Sequence, residues 1–166
     1  WNIASSTISA LGSSVAGGSV IALTLDAARG TLYVGGSFAS AGGVSGINNL
    51  AQWNIASSTI SALGSSVAGG SVIALTLDAA RGTLYVGGSF ASAGGVSGTS
   101  GLAQWDIASS TFTALGSGVA GNVNALTMDA ARGVLYVGGD FTSAGGVSGT
   151  SGLAQWDIAS STFTAL

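Results

Sequence analysis

The chain contains no cysteine, proline, histidine, lysine or glutamate among its 166 residues. Charged residues make up only 5%. The cations are Arg29, Arg81 and Arg132, and the anions are Asp26, Asp78, Asp106, Asp129, Asp140 and Asp157. Each absence removes a chemistry. Three scattered arginines cannot neutralise a phosphate backbone, so no nucleic-acid partner is expected. They are also too few for a basic helix lying on a membrane surface. Without Cys or His, most zinc, haem and iron–sulfur ligation is excluded. So are a Ser-His-Asp triad and a cysteine nucleophile. No disulfide framework exists, so cysteine usage says nothing of the redox compartment. Mean hydropathy is high, at +0.61. Yet no unbroken apolar run approaches the ~18 residues of a spanning helix, and no membrane span is expected. The value comes from Ala, Val and Ile set among Gly and Ser. The chain starts at Trp1 with neither an initiator Met nor a signal peptide, which fits removal of a segment or membership of something longer.

What is present is repetition. Trp1, Trp53, Trp105 and Trp156 mark a period of about 52 residues. Trp1–Gln52 matches Trp53–Gln104 except where Ile47-Asn48-Asn49 becomes Thr99-Ser100-Gly101. The third copy drifts further, with Asp106 for Asn54, Phe112 for Ile60, Met128 for Leu77 and Asp140 for Ser89. It is also one residue shorter around Gly121. Such identity means recent duplication or deliberate design.

One repeat reads as four short strands. In Val20–Leu25 both alternating faces are largely apolar, which predicts a strand packed on both sides. Asp26-Ala27-Ala28-Arg29-Gly30 follows as a hairpin loop. There Asp bonds the backbone and Gly supplies a positive φ. The second strand is Thr31–Val34, closed by Gly35-Gly36. A Gly/Ser-rich loop from Ala39 to Asn49 crosses to the third strand, Leu50–Ile55. Ala56-Ser57-Ser58-Thr59 turns into the fourth, Ile60–Leu63. Helix is a poor alternative, because Glu and Lys are absent and Gly and β-branched residues recur throughout.

Four strands in about 50 residues is the size of one β-propeller blade, and kelch repeats have this period. Leu32-Tyr33-Val34-Gly35-Gly36 resembles the kelch segment of apolar residues ending in a double glycine. Leu102-Ala103-Gln104-Trp105-Asp106 is similar to the later aromatic-Asp segment. Phe112-Thr113-Ala114-Leu115 falls where kelch blades carry an outer-strand aromatic. The resemblance spans every repeat. The chain departs from the kelch pattern with Trp at the usual Tyr position, Phe or Ile at the usual Trp position, and no polar charge network. Copper oxidases of the galactose oxidase type share that fold, but their site needs His and a Cys-crosslinked Tyr. This chain has neither, so that activity does not transfer.

The expected fold is therefore all-β: propeller blades of four antiparallel strands, about three of them, plus an extra outer hairpin. The expected boundaries are residues 1–11 for that hairpin of an incomplete blade, then 12–63, 64–115 and 116–166 for the blades. Inner pairs occur at Val20–Val34, Val72–Val86 and Val123–Val137, whereas outer pairs begin at Trp1, Trp53, Trp105 and near Trp156. Three blades fall below the four or more of closed propellers. The expected partners are therefore further repeats of a longer chain or copies of the same chain, in a ring or an open array.

Each candidate site has a competing structural explanation. Asp26, Asp78 and Asp129 stand three residues before Arg29, Arg81 and Arg132. They form either a ligand-recruiting ring or turn-stabilising pairs worth about 0.2–1 kcal/mol when exposed. The turn reading is preferred, because duplication alone explains the recurrence. The tryptophans are either a sugar-stacking surface or blade-to-blade packing, and packing is preferred. Tyr33, Tyr85 and Tyr136 are expected in the core, with the hydroxyl reaching a backbone partner. Asp140, with Asp129, Asp106 and Asp157, offers oxygen ligands for Ca²⁺, but no loop carries clustered Asp at alternating positions. Nor do paired carboxylates for glycoside hydrolysis occur. No catalytic, cofactor-binding or metal residue is assigned, no cofactor is expected, and an enzyme is not expected. The expected function is a structural or interaction scaffold presenting loops such as 44–49 to a protein. The alternative is a carbohydrate-binding, lectin-like propeller. Low charge with abundant Ser, Thr and Gly suggests an extracellular or cell-surface protein, a question that an engineered origin would remove.

Overall fold

The computed structural model describes residues 14–166. The hairpin expected over residues 1–11 lies outside them. The described residues form strands, turns and bends, with no helix. Three four-stranded antiparallel sheets follow one another along the chain. The first consists of β1 (Ser19–Asp26), β2 (Thr31–Ser37), β3 (Leu50–Asn54) and β4 (Thr59–Ala62). The second consists of β5 (Val72–Asp78), β6 (Thr83–Gly88), β7 (Leu102–Asp106) and β8 (Thr111–Ala114). The third consists of β9 (Val119–Asp129), β10 (Val134–Ala144), β11 (Leu153–Asp157) and β12 (Thr162–Thr164). Within each sheet, strands neighbour one another in sequence order, so each sheet is a simple meander. The loop expected from Ala39 to Asn49 is not wholly irregular. Ser40–Ala41 pairs with both Val15–Ala16 and Val44–Ser45, and Ser92–Ala93 pairs with Val67–Ala68. In the third sheet the shortened loop lets β9 and β10 run on, pairing from Asp129↔Val134 out to Val119↔Ala144.

The double glycine has two distinct tasks. The second glycine of each pair (Gly36, Gly88, Gly139) lies at or beside a bulge in the inner hairpin. A Cβ there would run into the carbonyl of Ser19, Ser71 or Asn122 on the neighbouring strand. The first glycine faces the next sheet. A Cβ on Gly35 would stand 2.5 Å from Val72 Cγ1, and one on Gly87 would stand 2.6 Å from Val123 Cγ1. So the inner strand of each following sheet presses its Val against the bare backbone of the sheet before it.

The core consequently lies between sheets. Tyr33, Leu50 and Leu63 of the first sheet and its exit pack with Val72, Leu84 and Trp105 of the second. Tyr85, Leu102 and Leu115 pack in the same way with Val123, Leu135 and Trp156. Within a sheet, Trp105 stands opposite Phe112, with ring centroids 4.7 Å apart and planes at 58°. Trp156 and Phe163 repeat the pair at 4.8 Å and 59°. Tilted aromatic pairs of this kind add about 0.5–1.5 kcal/mol beyond area burial.

One expectation fails in the first copy. Val72 and Ala74 on β5 are buried and the rest of that strand is buried or half-buried. The equivalent β1 instead leaves Val20, Ile21, Leu23 and Leu25 exposed. The apolar pattern is the same; what differs is that β5 has a sheet in front of it and β1 has none among the described residues.

The close approach at Gly87 yields a stability prediction. Gly87→Ala forces Val123 and Leu126 to shift, and overpacking of this sort costs about 1–3 kcal/mol. Urea denaturation of the variant beside the parent should show the midpoint falling accordingly.

Candidate functional site

Each sheet has two unlike ends. Both hairpin turns of a sheet lie at one end, next to the Asp26–Thr31 and Asn54–Thr59 register pairs. The crossing loops lie at the other end, beside the double glycine.

At the turn end the Asp-Arg pairs form as the spacing suggests. The Arg29 amide donates to Asp26 Oδ1 at 3.1 Å, and its guanidinium donates to Oδ2 at 2.8 Å. The same two bonds measure 3.1 and 2.7 Å in Arg81–Asp78, and 3.0 and 2.6 Å in Arg132–Asp129. The second turn is capped from its first residue. Asp106 Oδ1 accepts from the Ser109 amide at 2.6 Å and from its hydroxyl at 2.7 Å. Asn54–Ser57 and Asp157–Ser160 repeat this. These side chains are committed to local turns, where Asp competes well for backbone donors.

The electrostatics follow from those bonds. Burial pushes the Asp26 carboxyl up, but the hydrogen bonds and charge of Arg29 outweigh it, and its pKa lies below the ordinary value. The Arg132 guanidinium lowers Asp129, and the Ser109 and Ser160 amides lower Asp106 and Asp157. Burial, reinforced by the nearby Asp78 charge, pushes the Tyr85 hydroxyl up to about 12. Burial raises Tyr33 as well.

The aromatic candidates are packing residues. Trp53, Trp105 and Trp156 are all buried, at 5, 4 and 5% exposure, so among the described residues no indole face is open for stacking on a sugar ring. Tyr33 and Tyr85 are in the core as expected, whereas Tyr136 is only half-buried. No hydrogen bond from a tyrosine hydroxyl to the backbone is found among the described residues. The four acids weighed for Ca²⁺ are not brought together. Asp129 pairs with Val134 at the turn end, whereas Asp140 pairs with Asn122 at the loop end of the same hairpin. Among the described residues no three acidic side chains come close enough to hold a metal ion.

The loop end holds the one difference between the first two copies. In the second and third sheets a buried threonine closes the loop: the Ala93 amide donates to Thr99 Oγ1 at 2.9 Å, and that hydroxyl donates to the Val96 carbonyl at 2.6 Å. Thr150 does the same. The first copy replaces this device. Ile47 is buried where Thr99 would be, and Asn49 accepts from the Phe38 amide at 3.0 Å and donates to the Gly70 carbonyl at 2.7 Å. Ile47 and Asn49 thus serve the interior, while Val44, Ser45, Gly46 and Asn48 face outward.

The third sheet carries a feature that spacing alone does not reveal. Asn122, Asn124, Asp140 and Thr142 stand where the second copy has Ser71, Ile73, Ser89 and Ala91. All four are exposed. Register sets Asn122 opposite Asp140, and Asn124 Nδ2 donates to Asp140 Oδ2 at 2.9 Å. The clue in the sequence was the run of polar substitutions at alternating positions on two strands.

Meandering four-stranded sheets that follow one another along the chain and pack face against face define a β-propeller repeat protein. Residues 46–166 match the family model described as the Rax2 C-terminal beta propeller domain. The chain belongs to that family. No curated protein sequence matches it. Among solved structures, a nidogen/laminin complex superimposes with a TM-score of 0.60 at 12% identity, over 89% of this chain and 47% of that one. The structure of U3-55K gives 0.54 at 12%, covering 89% and 38%. The RRP9 WD40 repeats give 0.53 at 12%, covering 89% and 38%. The chain thus spans less than half the length of these structures, and the likeness is one of fold.

The shifted groups set a pH profile. Lowered carboxyl values add stability that is present above the unfolded value near pH 4 and lost as pH falls through the folded values. The raised Tyr85 adds stability that is complete below about pH 10 and lost as pH climbs towards its folded value of about 12. Melting temperature should therefore hold a plateau near neutrality and fall on both sides, and Tyr85→Phe should shrink the alkaline fall. Thermal melts between pH 2 and 12 check this, and an unchanged alkaline limb in the variant would remove Tyr85 from the account.

Proposed function

We propose that the chain is a non-catalytic scaffold of propeller blades over residues 12–63, 64–115 and 116–166, and that it binds a protein partner at the loop end of its third blade. The observation that carries this reading is the exposed Asn122–Asn124–Asp140–Thr142 patch. At these four neighbouring positions Asn124 and Thr142 replace the apolar Ile73 and Ala91, and Asn122 and Asp140 replace two serines, with no core contact that requires the change. Exposed polar positions on a rigid scaffold are where recognition resides. The burial of all three described tryptophans favours a protein partner over the lectin-like alternative. The burial of Gly35-Gly36 and Gly87-Gly88 supports a kelch-like blade. Low charge and Ser/Thr/Gly richness support an extracellular or cell-surface setting.

The test restores the repeat. The triple variant Asn122→Ser, Asn124→Ile, Asp140→Ser carries only residues the second blade already accommodates, so it should fold. Panning a random phage-displayed peptide library on the parent chain should enrich peptides that bind the variant at least about tenfold more weakly. Equal binding to both proteins would remove the patch from the proposal. Selective binding on a glycan array would put the lectin-like reading in its place.

A further inference from the structure

The two internal junctions share one packed core but differ at their loop ends. The core does not distinguish them: Tyr33, Gly35 and Val72 at the first recur as Tyr85, Gly87 and Val123 at the second. At the loop end the crossing loop of one blade meets the segment that enters the next. At the first junction two side chains span the gap, one from each partner. Asn49 Nδ2 donates to the Gly70 carbonyl at 2.7 Å and to the Val67 carbonyl at 3.4 Å. Ser66 Oγ donates to the Gly46 carbonyl at 3.0 Å and accepts from the Asn48 amide at 3.4 Å. Both residues stand at positive φ, 64° for Asn49 and 69° for Ser66, where glycine would be less strained. The bridging bonds offset that strain.

At the second junction the same two positions hold glycine, and the facing segments lie closer. Gly101 replaces Asn49 and Gly118 replaces Ser66. A Cβ on Gly101 would stand 2.5 Å from the Gly121 carbonyl oxygen and 2.8 Å from Val119 Cγ2. A Cβ on Gly118 would stand 2.5 Å from the carbonyl oxygen of Gly98, the residue equivalent to Gly46. Neither position accepts a side chain unless the backbone moves. The entering segment is also one residue shorter, with Ala120-Gly121-Asn122 in place of Ala68-Gly69-Gly70-Ser71. So changes on two facing segments go together. An asparagine loop meets a longer entry with serine, and a glycine loop meets a shorter entry with glycine.

We propose that these are two matched sets that decide which blade can follow which. The Asn49 loop takes the entry with serine, and the Gly101 loop takes the short entry with glycine. Two wrong pairings are thereby rejected. The Ser66 entry set on the Gly101 loop drives its Cβ into the Gly98 carbonyl. The Gly118 entry set on the Asn49 loop leaves the Gly46 carbonyl and the Asn48 amide without the serine that bonds both. In a chain of near-identical blades, this keeps the second blade of one copy off the second blade of another, and the third blade off the first. Out-of-order docking of that kind is a characteristic failure of repeat proteins, and rejecting the wrong partner is as much a part of specificity as holding the right one. The device lies between described blades and does not rest on partner binding at the Asp140 patch.

Urea denaturation of the full chain tests this as a cycle of variants. Gly118→Ser should lower the midpoint by about 1 M. Thr99→Ile, Ser100→Asn and Gly101→Asn together give the second blade the first blade's loop, and should lower it about as much. With both changes and one glycine inserted after Gly121, the second junction becomes a copy of the first. The midpoint should then return to within about 0.3 M of the parent, because the changes are coupled rather than independent. A combined variant that falls further than either partial one would overturn the proposal, as would a Gly118→Ser chain as stable as the parent. Should the loop variant fail to fold, the first junction supplies the same cycle through Asn49→Gly and Ser66→Gly. There the double variant should lose clearly less than the sum of the two single losses, and losses that simply add would overturn the proposal.

Discussion

At Gly35 and Gly87 a valine methyl from the next sheet occupies the space where a side chain would begin. Everything else about the array depends on that approach. It lets two sheets close over a core only a few side chains thick. It fixes which face of each inner strand points backward, and it makes every blade half-dependent on the one in front. The adjacent glycine is equally constrained, but by its own sheet, through the bulge against the Ser19 or Ser71 carbonyl. Two neighbouring glycines thus meet two different demands, one of packing and one of strand geometry, and neither tolerates a Cβ without a shift in its surroundings.

Much of this was legible in the sequence. Alternation in Val72–Leu77 announces a strand with two apolar faces, and the strand is packed on both sides in the second blade. The Asp-Ala-Ala-Arg-Gly spacing announces a capped hairpin, and the two bonds from Arg81 to Asp78 supply it. Repetition, however, hides position. Val20–Leu25 reads identically to Val72–Leu77, and nothing in it shows that one copy has a neighbour and the other has none among the described residues. The tryptophans illustrate a second limit. A Trp on an alternating strand suits a core or a binding face equally, and only the placement of Phe112 and Phe163 opposite Trp105 and Trp156 decides for the core.

The loop end was the least legible region, for a physical reason. Its closing bonds run from side chains to backbone at irregular separations of 3 to 21 residues: Thr99 to Val96 and Ala93, Asn49 to Phe38 and Gly70. Two unlike solutions, a threonine bridge and an asparagine bridge, close equivalent loops, so the change from Ile47-Asn48-Asn49 to Thr99-Ser100-Gly101 reads in sequence as variation on a presented surface. In the structure, two of those three positions serve the interior. The Asn122–Asp140 patch shows the converse. Its members are far apart in sequence and meet only through strand register.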